Sequence, residues 1–140
     1  MRRLTALAAA IAIIGAAPAH AADPITGQWL TAKGNAVVTI SKCGANACGR
    51  ISRLLVTTPE NPDGLDRRNG KPELRTRKLV GLMIIPNFTD AGKDWRGRIY
   101  SPETGGEYSG YLSRNADGTL TVKGCVAALL CQTQTWKPAK

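Results

Sequence analysis

The sequence predicts an all-β protein, built as a single eight-stranded antiparallel up-and-down barrel with one long loop. First, eight short segments of β-prone residues recur along the chain with turn residues between them. Second, most of these segments are joined by short connections, as the strands of hairpins are. Third, no helical run exceeds two turns after the first 21 residues. A two-sheet sandwich is the alternative, but closure into a barrel removes the exposed sheet edges.

The predicted strands follow one another with turn chemistry at their ends. They cover residues 27–31, 36–43, 48–56, 82–88, 95–100, 107–113, 119–126 and 131–136. Leu120 and Val122 alternate with polar neighbours, which is typical of a strand with one buried face. Asn, Asp and Gly, which tolerate the backbone of tight turns, recur in the connections at 90–92, 103–106 and 115–118.

The connection at 57–78 is different, because it is long and rich in Pro, Gly, Asn and charged residues. A loop of this length is either a functional lid or a mobile crossover. One short turn of helix is predicted within 73–80. Acidic and amide side chains cluster in the loop at Glu60, Asp63, Asp66 and Asn69. Their spacing does not match a calcium-binding loop, and we predict no metal ion.

The first 21 residues are typical of a cleaved secretory signal peptide. Two arginines precede an apolar run over 4–17, and a small-residue cleavage site follows at 19–21. We predict cleavage after Ala21 by the general secretory route, which places the protein in the periplasm or outside the cell. Removing these 21 of the 140 residues leaves a single domain of 119 residues at 22–140, and lowers the net charge from +9 to +7. No second apolar run is long enough to form a transmembrane segment.

The four cysteines predict two local disulfides, Cys43–Cys48 and Cys125–Cys131, because each pair brackets a predicted hairpin tip. Facing positions on antiparallel strands have Cα atoms about 4.5–5.5 Å apart, a separation that suits a disulfide. A four-cysteine zinc site is the alternative, but its usual spacings are tighter and an exported chain meets an oxidising environment. We predict no metal and no other cofactor.

The composition argues against several classes of function. Cleavage would remove His20, the only histidine, and with it most histidine-based catalysis and metal binding. The phosphate-binding glycine motifs and the Gly-x-Ser-x-Gly motif of hydrolases are absent. A glycosidase-type carboxylate pair, Glu103 and Glu107, is the remaining enzymatic alternative, and we expect no enzymatic activity. The basic residues are scattered without an aromatic stacking motif, so we expect no binding of nucleic acid.

Several arginines and tyrosines are candidates for ligand binding. They are Arg75, Arg77, Arg96, Arg98, Tyr100 and Tyr108. Arg96 and Arg98 share one face of a strand; if they face inward they would clamp a carboxylate or phosphate, and if outward they would be solvated. Arg75 and Arg77 lie where the long loop re-enters the barrel, so they would either anchor a ligand or pair with Asp66 and order the loop. The two tyrosines would contribute hydroxyl groups to a pocket.

Short motifs spread over nearly all of residues 22–140 resemble one family. They are Cys43-Gly-Ala-Asn-Ala-Cys48-Gly49-Arg50-Ile51, Asp66-x-x-Asn69-x-x-Pro72-x-Leu74-Arg75-x-Arg77-x-Leu79-x-Gly81-Leu82, Trp95-x-Gly97, Ile99-Tyr100-x-Pro102, Gly106-x-Tyr108, Leu120-x-Val122-x-Gly124-Cys125 and Gln134-Thr135-Trp136. Together they resemble the bacterial secreted family catalogued as domain of unknown function 2147. Lys78 stands where a proline is expected, and Lys137 where threonine or arginine is more usual. The resemblance implies an exported β domain and promises no particular activity.

The triplet Gly27-Gln28-Trp29 on the first predicted strand is similar to the Gly-x-Trp signature of lipocalins. In that family the tryptophan plugs the closed end of the barrel, and a late arginine usually packs across it. The nearest basic residue by position here is Lys137. We expect Trp29 and Trp136 to be core residues at the barrel end rather than a platform for a ligand.

These observations predict a lipocalin-like protein that binds a small apolar or amphipathic, anionic ligand in the barrel mouth. The long loop would gate the mouth, and Arg75 or Arg77 would anchor an anionic head group. An eight-stranded barrel either holds one small ligand or is filled by side chains. The alternative is therefore a cell-envelope interaction module with a filled barrel, whose basic surface binds a partner protein or an anionic polymer.

Overall fold

The computed structural model describes residues 11–18 and 20–140, and within them eight antiparallel strands form a closed barrel. In chain order the strands are β1 Gly27–Leu30, β2 Ala36–Cys43, β3 Asn46–Leu54, β4 Met83–Asp90, β5 Trp95–Ser101, β6 Gly106–Arg114, β7 Leu120–Ala127 and β8 Leu130–Pro138. Each strand pairs with the next, and β8 pairs with β1. The predicted barrel is therefore confirmed. The short helical turn predicted within 73–80 differs from the observed 3-10 turn, which begins earlier and covers only Pro72–Leu74.

The up-and-down order divides the connections between the two ends of the barrel. One end, called here the mouth end, carries the connections at 31–35, 55–82, 102–105 and 128–129. The opposite end carries the short turns at 44–45, 91–94 and 115–119, together with both ends of the barrel sequence. The long loop between β3 and β4 thus lies at the mouth end.

Side chains fill the middle of the barrel. Phe88 is fully buried, and its ring lies over Gly97 of β5 and Gly110 of β6. A Cβ atom at either glycine would lie 2.5 Å from the ring, so an aromatic side chain fits there only because both facing strands carry glycine. Ile85 fills the space over Gly49 of β3 in the same way. The barrel axis is consequently occupied by packed core and not by a ligand cavity at this level.

The end opposite the mouth is closed around Trp29, which is 1% exposed. Its indole Nε1 donates a 2.9 Å hydrogen bond to the carbonyl of Ile25, and Arg114 lies with its guanidinium carbon 5.3 Å from the ring centroid. Arg114 also donates a hydrogen bond to the carbonyl of Pro24. The residue packed across the tryptophan is therefore Arg114, at the end of β6, and not Lys137. Trp136 is buried in the same core.

Both predicted disulfides are confirmed. Cys125 and Cys131 face each other across β7 and β8, with Cα atoms 4.0 Å apart. Cys43 and Cys48 lie diagonally instead, because Cys43 faces Asn46 and Cys48 faces Ser41, and their Cα atoms are 5.8 Å apart. The two bridges fit an extracellular or periplasmic protein, since disulfides persist in oxidising compartments.

The predicted signal peptide falls partly outside the described residues, which exclude 1–10 and 19. Immediately after the predicted cleavage site, the backbone nitrogen of Ala22 donates a 3.0 Å hydrogen bond to Asp90 Oδ1. The carbonyl of Asp23 accepts a hydrogen bond from the indole of Trp95. The segment is thus bound to the barrel from Ala22 onward. No helix among the described residues is long and apolar enough to cross a bilayer.

Candidate functional site

Backbone contacts order the long loop internally, and others hold it against the barrel, such as the 2.7 Å hydrogen bond from the amide of Gly81 to the carbonyl of Ile51. Leu65 pairs with Lys78, and the amide of Asp66 donates a 2.9 Å hydrogen bond to the carbonyl of Arg77. Further along the loop, Arg68 packs so closely on Gly105 of the β5–β6 turn that a Cβ atom there would lie 1.7 Å from its carbonyl oxygen. The sequence left two interpretations of this loop, a functional lid and a mobile crossover. These contacts disfavour the mobile crossover.

A buried polar cluster joins the loop to β5. The Tyr100 hydroxyl donates a 2.6 Å hydrogen bond to Asp66 Oδ1, and Arg77 Nε donates a 2.9 Å hydrogen bond to Oδ2 of the same carboxylate. The Asn69 side-chain amide donates to both Asp66 and Tyr100, at 2.9 and 3.0 Å. The Asp66 side chain has no exposed surface, so an unpaired charge there would be costly, and the three donors compensate for its burial.

The cluster shifts the pKa of the Tyr100 phenol. Burial and, after it, the hydrogen bond to Asp66 raise the pKa of Tyr100 to about 12. The guanidinium of Arg77 also lies 5.5 Å from the centroid of the Tyr100 ring. Tyr100 therefore keeps its proton and serves as a hydrogen-bond donor within the cluster. The cluster holds the loop against the outer side of β5.

Two roles were open for Arg75 and Arg77, ligand binding and ordering of the loop, and both residues make contacts that order the loop. Arg77 pairs with Asp66, as described, while Arg75 Nε donates a 2.8 Å hydrogen bond to the carbonyl of Asn69. The positive charge of Arg77 is thereby largely balanced by a buried carboxylate. These contacts order the loop and leave the head-group role predicted for the pair without a direct geometric basis.

A cleft opens beside the cluster because β4 and β5 diverge. They pair only at Thr89–Arg96 and Asp90–Trp95, at the end opposite the mouth. Pro86 lacks a donor for a sheet hydrogen bond, and Asn87 has a φ of 52°, in the left-handed region. These two residues turn β4 away from β5. The sequence contains this signal in its Pro86-Asn87 pair, which our prediction of an unbroken strand overlooked.

The opening, here called the β4–β5 cleft, has a volume of about 430 Å³. Loop residues form one side of it and strand residues the other. Its lining comprises Asn69, Gly70, Lys71, Leu74, Arg77, Met83, Pro86, Arg98, Ile99, Tyr100, Gly105 and Glu107. Apolar side chains are thus combined with cationic groups and one carboxylate, in a volume that suits a small molecule.

Two of the cations in this cleft are available for a ligand. Among residues 11–18 and 20–140, neither Lys71 nor Arg98 forms an ion pair, and Arg98 donates only a 3.3 Å hydrogen bond to the hydroxyl of Ser109. Arg77 is already paired with Asp66. The balance of free charge in the cleft therefore favours an anion, with Glu107 as the one exposed carboxylate that opposes it.

Of the two orientations left open for Arg96 and Arg98, the structure shows the outward one, because both side chains are exposed on the outer face of β5. The opposite face of this strand carries Gly97 and Ile99, which pack under Phe88 and the core. Arg98 nevertheless reaches the cleft from outside, whereas Arg96 does not. Arg96 pairs with Asp94 at 2.7 Å and lies 5.3 Å from the ring centroid of Tyr111.

The remaining tyrosine candidate is separated from Tyr100. Tyr108 packs against the core, and its hydroxyl lies 2.8 Å from the hydroxyl of Thr104 in the β5–β6 turn. It is not part of the cleft lining. The predicted set of six residues is thus divided: Arg77, Arg98 and Tyr100 meet at the cleft, while Arg75, Arg96 and Tyr108 lie elsewhere.

The outer face of β5–β7 carries a second polar feature. Arg96, Tyr111 and Lys123 occupy facing positions on the three strands. The Tyr111 ring lies between the two cations, with the Lys123 nitrogen 4.7 Å from its centroid. Within the described part of the chain Lys123 has no acidic partner, so this basic row presents an unbalanced charge to solvent.

The two carboxylates suggested by sequence, Glu103 and Glu107, have different surroundings. Glu103 lies at the surface, 2.9 Å from the ammonium group of Lys33, whereas Glu107 is exposed at the cleft. In the described residues no group of three or more His, Cys, Asp or Glu side chains is arranged to hold a metal ion. The carboxylate of Asp66 is instead occupied by Arg77, Tyr100 and Asn69.

Comparison with known proteins agrees with the fold. A family model described as an uncharacterized protein conserved in bacteria (DUF2147) matches residues 27–138. Among solved structures, protein HP1028 from the human pathogen Helicobacter pylori, described as a member of the lipocalin family, is similar with a TM-score of 0.71. The two chains are 18% identical, and the match covers 84% of each. No curated protein shows significant similarity to the sequence.

Proposed function

This chain belongs to the bacterial DUF2147 family, and on that premise we propose that it binds one small amphipathic anion in the β4–β5 cleft. The divergence of β4 and β5 beside two unpaired cations is the observation that carries the proposal. The lipocalin-like fold supports a binding role. The proposed position lies beside the barrel mouth instead of on the barrel axis, because Phe88 and Ile85 occupy the axis.

The two ends of the ligand would meet different parts of the cleft. Met83 and Pro86 of β4, together with Leu74 of the loop, offer an apolar surface to a tail. Arg98 and Lys71 would receive a carboxylate or phosphate head group, and the planar guanidinium of Arg98 suits bidentate contact. Arg77 would act indirectly, by holding the loop in place through Asp66.

The proposal is tested with dodecanoate, an anion with a single acyl chain, titrated calorimetrically into the purified protein. We expect saturable binding, and we expect Arg98→Gln to weaken it about tenfold or more, since a hydrogen bond to a charged group contributes about 1.5–3 kcal/mol. Arg53→Gln removes the same charge from an exposed position outside the cleft and should leave the affinity unchanged. Equal affinities in the Arg98→Gln variant and the wild type would refute the site.

A second candidate function is the binding of an anionic envelope polymer by the basic row. The filled barrel and the unpaired Lys123 beside Tyr111 favour it. Dextran sulfate is a suitable probe: binding that disappears as salt is raised and in Lys123→Gln, but persists in Arg98→Gln, would support this function. Binding of dodecanoate through its tail should instead persist at high salt.

We also propose that the protein acts after export, in the periplasm or outside the cell, and that its role is binding instead of catalysis. The two disulfides support the location. Glu103 is engaged by Lys33 and is not part of the cleft lining, whereas Glu107 is, and this supports a role without carboxylate catalysis. N-terminal sequencing of the protein from its own compartment tests the export, and an undetached leader would contradict it.

A further inference from the structure

The mouth end of β8 is a free sheet edge. On one side, β8 pairs with β7 along its length, from Leu120–Trp136 to Ala127–Leu130. On the other side, β1 pairs only with Lys137 and Pro138, because β1 ends at Leu30. Within residues 11–18 and 20–140, no strand therefore pairs with the outer side of residues 130–136. Except for Trp136, these residues are exposed on both faces, so the β7–β8 hairpin projects beyond the barrel wall.

The backbone groups directed to this edge can be assigned from the register. Cys125 and Cys131 face each other with Cα atoms 4.0 Å apart, which is the close spacing of a non-hydrogen-bonded pair. The amide and carbonyl of Cys131 consequently point away from β7. Because the pattern alternates along a strand, those of Thr133 and Thr135 point the same way, and their row of donors and acceptors faces open space.

The edge lacks the features that usually prevent strand pairing. Natural edges carry lysine, proline, inward charges or bulges. Here the segment 130–136 contains no charged residue and no proline, and its register with β7 is regular from Trp136 to Cys131. The hairpin tip adds apolar surface, since Val126 and Leu130 are 66% exposed and Leu129 is 92% exposed. A surface of this kind favours association.

We propose that this edge pairs with the same edge of a second copy of the chain, joining two barrels through an antiparallel β8–β8 contact. The free stretch is bounded by the tip at Leu130 and by β1 at Lys137, so its central residue is Thr133. Two-fold pairing about Thr133 uses the whole stretch. It forms about six hydrogen bonds between the copies, two at each of the three hydrogen-bonded pairs, which are Thr133 with Thr133 and, twice, Cys131 with Thr135. Leu130 then faces Trp136 of the second copy.

Charge favours a second copy over a partner of opposite charge. The protein carries a net charge of +9, so two copies repel each other over most of their surfaces. Residues 124–136 form the longest uncharged stretch after the predicted leader, and they include the edge and its tip. An acidic partner would gain most from the arginines and lysines elsewhere, whereas two copies of this chain approach with least repulsion here.

The test uses protein purified after expression of the full chain, with its disulfides formed, and measures mass by sedimentation equilibrium. We expect a concentration-dependent dimer whose dissociation constant rises about tenfold or more in Thr133→Lys, because two lysines would face each other across the two-fold axis. Thr57→Lys adds the same charge at an exposed loop residue and should leave the dimer intact. A monomeric wild type, or equal dimerisation in Thr133→Lys, would overturn the proposal.

A charge exchange tests the register. Thr133→Glu also places like charges opposite each other, although the neighbouring Lys123 offsets part of the repulsion. Mixing the lysine and glutamate variants should form a heterodimer tighter than either homodimer. If the dimer forms but the mixture shows no such preference, residue 133 does not lie at the two-fold axis and the β8–β8 pairing as proposed is wrong. The measurement does not depend on whether the β4–β5 cleft binds dodecanoate.

Discussion

The hydroxyl of Tyr100 donates a 2.6 Å hydrogen bond to the buried carboxylate of Asp66, a residue 34 positions earlier in the chain. This bond joins the long loop to β5, and Tyr100 and the loop residue Asn69 both line the β4–β5 cleft. Asp66 has no exposed side-chain surface and depends on Tyr100, Asn69 and Arg77 for its hydrogen bonds. The position of the loop, and with it the shape of the cleft, depends on this cluster.

Replacing Tyr100 by phenylalanine should destabilise the protein by about 1–3 kcal/mol, because the buried carboxylate of Asp66 loses one donor. Chemical denaturation measures the free energy of unfolding. Tyr111→Phe removes a hydroxyl from the outer face of β6 and should change it by less than about 0.5 kcal/mol. Equal effects of the two substitutions would show that the bond to Asp66 contributes little.

The raised pKa of Tyr100 predicts a loss of stability in alkali. The folded state holds the phenolic proton to a pKa of about 12, against an ordinary value of about 10. The resulting stabilisation is complete below pH of about 10 and is lost as the pH rises to about 12. The free energy of unfolding of the wild type should therefore decline more steeply over this interval than that of Tyr100→Phe. Parallel declines would contradict the assignment.

The packing of Phe88 predicts that Gly110→Ala destabilises the barrel by about 1–3 kcal/mol through overpacking. Phe88→Leu makes room at the same place, so the double variant should lose less stability than the sum of the two single losses. Gly124→Ala is the matched control, because its nearest neighbour would be an ordinary contact at 3.5 Å. Thermal unfolding of the four variants tests this, and strict additivity would contradict it.

Export predicts a new ion pair at the chain terminus. Cleavage after Ala21 would convert the Ala22 nitrogen, 3.0 Å from Asp90 Oδ1, into an ammonium group. Hydrogen bonds from the Ala22 and Gly92 backbone already lower the pKa of Asp90, so their stabilisation is present above the ordinary pKa and lost as the pH falls through the lowered one. In the cleaved protein, the new ammonium group would make the bond to Asp90 a charge-assisted one.

The measurement compares melting temperatures of the cleaved protein at neutral pH. Asp90→Asn should lower the melting temperature, while Asp23→Asn, at an exposed side chain next to the terminus, should not. The difference between the two variants should shrink in acid. A mature terminus other than Ala22 would remove the basis for this prediction.

Local patterns in the sequence determined most of the fold. The eight segments, their order and both disulfides follow from period-two alternation, turn residues and the closeness of cysteines across hairpin tips. The predicted strand at 36–43 matches β2, and the other boundaries differ by a few residues. Burial of Trp29 and Trp136 likewise agrees with the expectation from their size and apolarity.

The candidate site depended on contacts that local patterns do not specify. Asp66 with Tyr100, Arg114 with Trp29, and Phe88 with Gly97 and Gly110 each join residues from different strands or from the loop. Which residues meet is set by how the barrel closes and by the register of each strand pair. The cleft arises where β4 and β5 fail to pair, and the free edge arises where β1 is too short to cover β8. Strand identity was thus encoded locally, whereas the partners of each side chain were decided only when the sheet closed.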